Sequence, residues 1–287
     1  MRIGVVFPQT EIGADVGGVR AYGQRVEELG FTHLLAYDHV VGADPEHHRP
    51  WTGPYDVHST FHEPLVLFGY LAALTRLELV TGIIILPQRQ AVLVAKQAAQ
   101  VDLLAEGRFR LGVGIGWNRV EYEALGESFT DRGARIEEQV ALLRRLWADP
   151  LITYSGRWHH VDNAGIRPRP VRGTIPIWFG GNAEAALRRT GQVGDGWFPQ
   201  RAPDDVARDM LERVRAYARG AGRDPAQIGF EPRLSLAQVP EAEWADFAAG
   251  WQELGATHLC VNTMGLGLAS PDDHITALRR SMTILAQ

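Results

Sequence analysis

The run Tyr37-Asp38-His39-Val40 sets a carboxyl group and an imidazole side by side at the end of a short apolar stretch. Histidine is the side chain best matched to proton transfer near neutral pH, and a neighbouring carboxylate can set its tautomer and raise its basicity. Adjacent residues on a strand point opposite ways, so Asp38 and His39 need not touch each other. His39 is therefore the first candidate acid/base, with Asp38 as a second candidate catalytic group.

Other runs offer binding rather than reaction. In Gly112-Val113-Gly114-Ile115-Gly116-Trp117-Asn118 the glycines would let backbone approach a planar ligand that Trp117 could cover, although Gly112 and Gly114 would equally ease strand packing. The spacing is GxGxG rather than the GxGxxG of a dinucleotide-binding turn, and the run ends a fourth strand rather than a first. In Phe179-Gly180-Gly181-Asn182-Ala183-Glu184 the glycines open directly onto a helical pattern. Free amides and the positive end of that helix would receive a phosphate there, with Asn182 as the N-cap. Gly82, inside the apolar run 79–86, marks a bulge, a close ligand or a packing position. Trp197, in Gly196-Trp197-Phe198-Pro199, either lines the same pocket or fills the core.

Several chemistries find no support. His47-His48 and His159-His160 are adjacent pairs without the i, i+4 spacing that turns two imidazoles to one side of a helix, and a Thr60 cap would leave His58 outside the helix holding His62. No metal site is expected. There is no GxSxG, SxxK or Walker A run, and the single Cys260 sits in apolar surroundings as an inert core thiol. With 45% hydrophobic and 22% charged residues among 287, the chain reads as globular rather than disordered. A formal net charge of -5 provides no basic footprint for nucleic acid. Lys96 is the only lysine, so arginine is the default anion-binding side chain.

The elements that must position these groups alternate along the whole chain. Strand-like runs at 3–7, 33–37, 77–86, 109–115, 175–179, 196–199, 228–234 and 257–261 are separated by helical stripes such as Val19/Tyr22/Val26/Leu29, Ile136/Val140/Leu143/Trp147 and Val206/Met210/Val214/Tyr217. Capping boxes are expected at Thr60/Glu63 and Ser270/Asp273, and C-terminal stops at Gly30 and Gly255. The segments 28–34 and 253–259 are nearly the same helix-end, glycine, strand-start unit. Eight alternations without a linker predict one (β/α)8 TIM barrel over residues 1–287, with insertions after strands two and four (38–59 and 117–130) and before strand five (151–174). Loops that follow the strands form the functional face of such a barrel, and all the candidate runs above lie there. The N-terminus has no signal-peptide pattern and no stretch approaches the roughly 20 apolar residues of a membrane span, so a cytoplasmic location is expected.

Taken in order, Phe7-Pro8, Tyr37-Asp38-His39-Val40, Thr81-Gly82-Ile83 with Leu86-Pro87, Gly112 to Trp117, Gly180-Gly181-Asn182 and Asp195-Gly196-Trp197 resemble the luciferase-like monooxygenase family, especially its coenzyme F-420 (deazaflavin) branch. The resemblance covers nearly the whole chain. It implies a barrel with an isoalloxazine-like ring in its mouth, over a third strand containing a non-proline cis peptide at Gly82-Ile83. It also implies His39 near the reactive ring carbon, and ring or phosphate contacts from Gly82, Ile83, Gly116, Trp117, Asn118, Gly180, Gly181, Asn182 and Trp197. Trp117 stands where some deazaflavin dehydrogenases of the family carry a glutamate proton donor. The expected activity is hydride transfer to or from a small organic substrate, by a homodimer that binds neither nucleic acid nor membrane. The alternatives are an FMN monooxygenase of the same fold fed by a separate reductase, and a flavin-binding protein without turnover.

Overall fold

The computed structural model describes residues 1–285. Its strands run Arg2–Val6, His33–Ala36, Glu78–Thr81 with Ile84–Ile85, Phe109–Gly114, Ile177–Gly180, Gly196–Phe198, Gly229–Phe230 with Arg233–Ser235, and His258–Asn262. Each of the eight pairs in parallel with its neighbours in chain order, and the last pairs with the first. The seventh strand closes the ring by changing partners. Its first half pairs with the sixth strand and its second half with the eighth, and Pro232, which has no amide to donate, stands at the break. The third strand is likewise interrupted, at a cis Gly82-Ile83 peptide. The barrel expected from the alternation is the fold observed.

Inside and outside follow the two-residue period of the strands. Leu35, Tyr37, Val80, Trp178, Phe198 and Cys260 form the core within the ring. Leu34, Ala36, Leu79, Phe179, Trp197 and Leu234 belong to the larger core between the ring and the helices. Ile136, Val140, Leu143 and Trp147 are buried as expected, whereas in the helix Asp205–Gly220 the exposed Val206 yields its place to Ala207 and Leu211. Ser270 and Asp273 form the expected capping box. The helix Pro64–Ala72, by contrast, is capped by Glu63 and not by Thr60, because Pro64 supplies the pre-set first helical position. Gly30 and Gly255 both end helices at positive φ, +88° and +92°, so the matching segments are matching structures. The insertion before strand five is an antiparallel hairpin, Ile152–Ser155 with His160–Ala164, tied to Glu138 by the Arg157, Trp158 and His159 amides. Among the described residues no helix is long and apolar enough to cross a membrane.

The end of the ring away from the functional loops is plugged by charge. Arg110 donates to Glu231 at 2.7 Å and to Glu78 at 2.9 Å, and His33 Nε2 lies 2.8 Å from Glu231. Ligand-type atoms of His33, Glu231 and Cys260 lie within 4.8 Å of one another, but the Arg110 guanidinium on Glu231 opposes a cation there. Burial, and then the Arg110 charge, push the neighbouring His258 imidazole down to about 3. A histidine depressed in the folded state contributes stability that is present above its ordinary value near 6.5 and is lost as pH falls from there towards 3. Replacing His258 with glutamine should flatten the acid limb of the stability curve by up to about 1.4 kcal/mol per pH unit, the slope due to one proton. Urea unfolding between pH 7 and 4 measures this, and identical slopes for the two proteins would contradict it.

Candidate active site

At the functional end the strand termini surround a cleft of about 480 Å³, within the range of small-molecule sites. Its floor is built by strands three to five. A Cβ at Gly114 would lie 2.6 Å from Ile83 Cδ1, one at Gly180 3.1 Å from Ile83 Cγ2, and one at Gly116 2.8 Å from Ile85 Cγ2. The glycines therefore seat the Ile83 and Ile85 side chains, leaving a low apolar floor edged by backbone. Gly112 has a different task, since a Cβ there would overlap the Thr81 carbonyl at 1.9 Å; it permits close packing of strands three and four. Trp117, 39% exposed, borders the cleft at its rim.

His33, Leu35, Tyr37 and His39 share one side of strand two and its extension, which turns His39 inwards to the mouth and Asp38 towards the end of strand three, at the edge of the same cleft. Asp38 accepts the Ile85 amide at 3.1 Å and Arg89 at 2.8 Å, and so clamps the second half of strand three to the end of strand two. Burial raises its carboxyl, only partly countered by Arg89 and the Ile85 amide. Its oxygens are already engaged, so Asp38 shapes the mouth and is not placed to exchange protons as the sequence suggested.

His39 is boxed by aromatic rings, with centroids at 4.8 Å for Phe61, 5.3 Å for Tyr55 and 5.6 Å for Trp117. Its Nδ1 lies 3.5 Å from Glu121 Oε2. Glu121 is fully buried and also accepts the Val40 and Val41 amides and Gln88 Nε2. Burial alone would raise this carboxyl, but His39, the Val40 amide and Gln88 more than offset it and hold it below the usual carboxylate range. A charged acceptor at Nδ1 leaves Nε2 as the nitrogen for a ligand. The geometry thus supplies an oriented imidazole in a box of aromatic rings.

Asn118 does not line this cleft. It caps the helix Arg119–Ala124, accepting the Val120 and Glu121 amides, and thereby aims Glu121 at His39. The Asn118-x-x-Glu121 spacing is the capping-box signal that could have drawn attention to Glu121, although here the acid reaches the strand-two loop and not its own cap. Tyr55, Phe61, Gln200 and Arg233, which the sequence did not single out, lie in long loops or on strand ends with no local motif.

On the fifth strand Gly180 and Gly181 border the cleft, and Gly181 takes φ +106°, open to glycine. The helix Glu184–Val193 begins after Ala183, with no side-chain cap. Asn182 is thus not the N-cap, because the extended residue that precedes the helix is Ala183, one position further on; Asn182 is exposed. An uncapped helix start retains free amides, as a phosphate would require. Trp197 is buried among the helices by strand alternation, with Nε1 donating to the Gly181 carbonyl at 2.9 Å. It braces the glycine turn from behind and does not face the mouth.

Comparison with known proteins agrees with this architecture. Residues 1–280 match the family profile described as luciferase-like monooxygenase. Pyrimidine monooxygenase RutA of Allorhizobium ampelinum is 33% identical over 217 residues, covering 71% of this chain and 56% of RutA. The chain spans about half the length of the curated relatives it matches. Among solved structures, an F420-dependent secondary alcohol dehydrogenase in complex with an F420-acetone adduct superposes with TM-score 0.78 at 18% identity, covering 99% of this chain and 98% of that one. The FMN-bound oxygenating constituent of 3,6-diketocamphane monooxygenase from Pseudomonas putida superposes with TM-score 0.65 at 15% identity, covering 82% and 67%. By a match that runs through all eight strands, the chain belongs to the luciferase-like monooxygenase family.

Proposed function

We propose that this protein is an oxidoreductase that passes a hydride between a coenzyme F-420-type deazaflavin and a small organic substrate, with His39 as the acid/base. The observation that carries this reading is the buried Glu121 behind His39 Nδ1, which leaves Nε2 for a ligand in a glycine-edged mouth. The residues fit such a cofactor: Ile83 and Ile85 offer a flat apolar floor, and the Gly181 turn with its uncapped helix offers a phosphate seat. When bound, a deazaflavin supplies a ring carbon that accepts or returns a hydride.

The protein's part is to manage the proton and exclude water. In alcohol oxidation His39 Nε2 takes the hydroxyl proton while the carbon gives up its hydride, and in carbonyl reduction it returns that proton to the oxygen. Glu121 keeps the proton of the neutral ring on Nδ1 and stabilises the imidazolium that forms. Trp117, Tyr55 and Phe61 close the space around the imidazole. With this dyad a proton-transfer group is available without a glutamate at position 117.

Similarity to RutA and to the FMN-bound monooxygenase supports a second reading, an FMN monooxygenase fed by a separate reductase. Calorimetric titration of the purified protein with F-420 and with FMN separates the two. F-420 is expected to bind at least about tenfold more tightly, a difference of about 1.4 kcal/mol. Tight FMN binding with no measurable F-420 binding would overturn the preference.

A further inference from the structure

Arg233 opens the second half of strand seven, directly after the Pro232 break, in register with Cys260 of the inner core. Its neighbour Leu234 faces the helices, so alternation turns Arg233 into the ring. There it lines the mouth together with Gln200. In a ring of eight, strand seven lies across from strand three, so Arg233 stands on the wall opposite Ile83 and the glycine-edged floor.

The other inward or buried arginines are neutralised: Arg110 by Glu231 and Glu78, Arg89 by Asp38 and Glu63, Arg135 by Glu127, and Arg189 by Glu137. Arg233 has no carboxylate within ion-pairing distance among the described residues. It donates to the Tyr37 hydroxyl and lies over the Tyr37 ring, its Cζ 5.1 Å from the centroid. One Nη1 bond leaves most of the five guanidinium donors unused. Burial pushes the Tyr37 hydroxyl up, so it stays protonated and can give its own hydrogen to a ligand. Glu243 and Asp246 border the adjoining cleft of about 780 Å³, which Arg233 and Gln200 also line, and Arg201 there is paired with Asp204 at 2.9 Å. Arg233 therefore stands between the two clefts, with no carboxylate of either in an ion pair with it among the described residues.

We propose that Arg233, with the Tyr37 hydroxyl, selects substrates that carry a carboxylate or phosphate group and holds that group on the wall facing the cofactor floor. A planar fork of donors beside a hydroxyl matches either anion in a bidentate manner. The assignment rests on the hydride-transfer reading for which molecule is substrate and which is cofactor. The anion chemistry of the wall stands on Arg233 itself.

The test uses benzoate and phenyl phosphate as probes, with benzamide and phenol as their neutral counterparts, titrated calorimetrically into the protein with and without saturating F-420. At least one anion is expected to bind tenfold or more tightly than its neutral counterpart. Arg233→Gln should weaken that binding by about 10- to 100-fold, the range for hydrogen bonds to a charged group, and Arg233→Lys should restore part of it. Both variants should retain F-420 affinity within twofold and melt within a few degrees of the parent. Equal binding of charged and neutral probes, or anion binding unchanged in both variants, overturns the proposal. Loss of F-420 affinity in Arg233→Gln as large as the loss of probe affinity also overturns it, because the arginine would then serve the cofactor. Failure of the parent protein to bind F-420 defeats the hydride-transfer reading separately, while the probe titrations without cofactor still report on Arg233.

Discussion

His39→Ala should lower kcat by about 10²- to 10⁴-fold, the usual contribution of a positioned acid/base, while cofactor affinity changes little. The expectation follows from the place of His39 in the lining of the mouth and from the buried carboxylate behind Nδ1. Added imidazole should restore part of the lost rate to the alanine variant, because the truncation leaves a ring-sized space between Phe61, Tyr55 and Trp117. Such rescue distinguishes lost proton transfer from a disturbed fold. Glu121→Gln should lose at least roughly tenfold in kcat, because the amide oxygen can still accept from Val40 and Val41 but the NH2 group puts a donor beside His39 Nδ1 in place of the charge that steadies the imidazolium. Steady-state kinetics with cofactor and an accepted substrate provide the measurement, and an undiminished kcat in His39→Ala would remove the histidine from the mechanism.

The second large effect lies at the opposite end of the barrel and concerns stability. Arg110→Met should destabilise the protein by about 3–5 kcal/mol, the cost of leaving a buried charge without its partner. Glu231 is 2% exposed, and although burial would raise its carboxyl, Arg110 and then His33 hold it well below the usual range. A carboxyl depressed in this way contributes stability above its ordinary value that is lost only as pH falls through the lower, folded value. Without the guanidinium the carboxylate must either remain charged in an apolar ring or take up a proton. The melting temperature should fall on the order of 10 °C. Arg110→Met combined with Glu231→Gln should recover at least half of that loss, since the neutral pair leaves no buried charge and the introduced amide can still meet His33. A melting temperature within 2 °C of the parent for the single variant would show that the pair contributes little.

The two ends of the barrel differ in how far local sequence discloses them. Strand two can be read to the side-chain level, because its period of two carries His33, Leu35, Tyr37 and His39 to one side and Asp38 to the other. The same rule, applied to strand six, would have sent Trp197 to the helices and Phe198 to the interior. An aromatic residue next to a glycine loop is a weaker indicator of a ligand than the parity of its position. Asn182 failed as a cap for a local reason, since the helix begins one residue later than the spacing suggested and the extended N-cap is Ala183. Glu121 carried a local signal, the Asn118 capping spacing, but nothing in that spacing states that the acid would reach the strand-two loop.

By itself, the sequence determined the eight alternating elements, their order and the end of the ring at which each loop emerges. These follow from periodicities of 2 and 3.6 residues and from glycine and proline punctuation, all of which act over a few neighbours. The tertiary structure decided the pairs that make a site: His39 with Glu121, 82 positions along the chain, and Tyr37 with Arg233, 196 positions along. The first contact exists because strands two, three and four lie side by side, and the second because strand seven changes partners at Pro232 and turns Arg233 into the closed ring; both depend on pairings far apart in the chain.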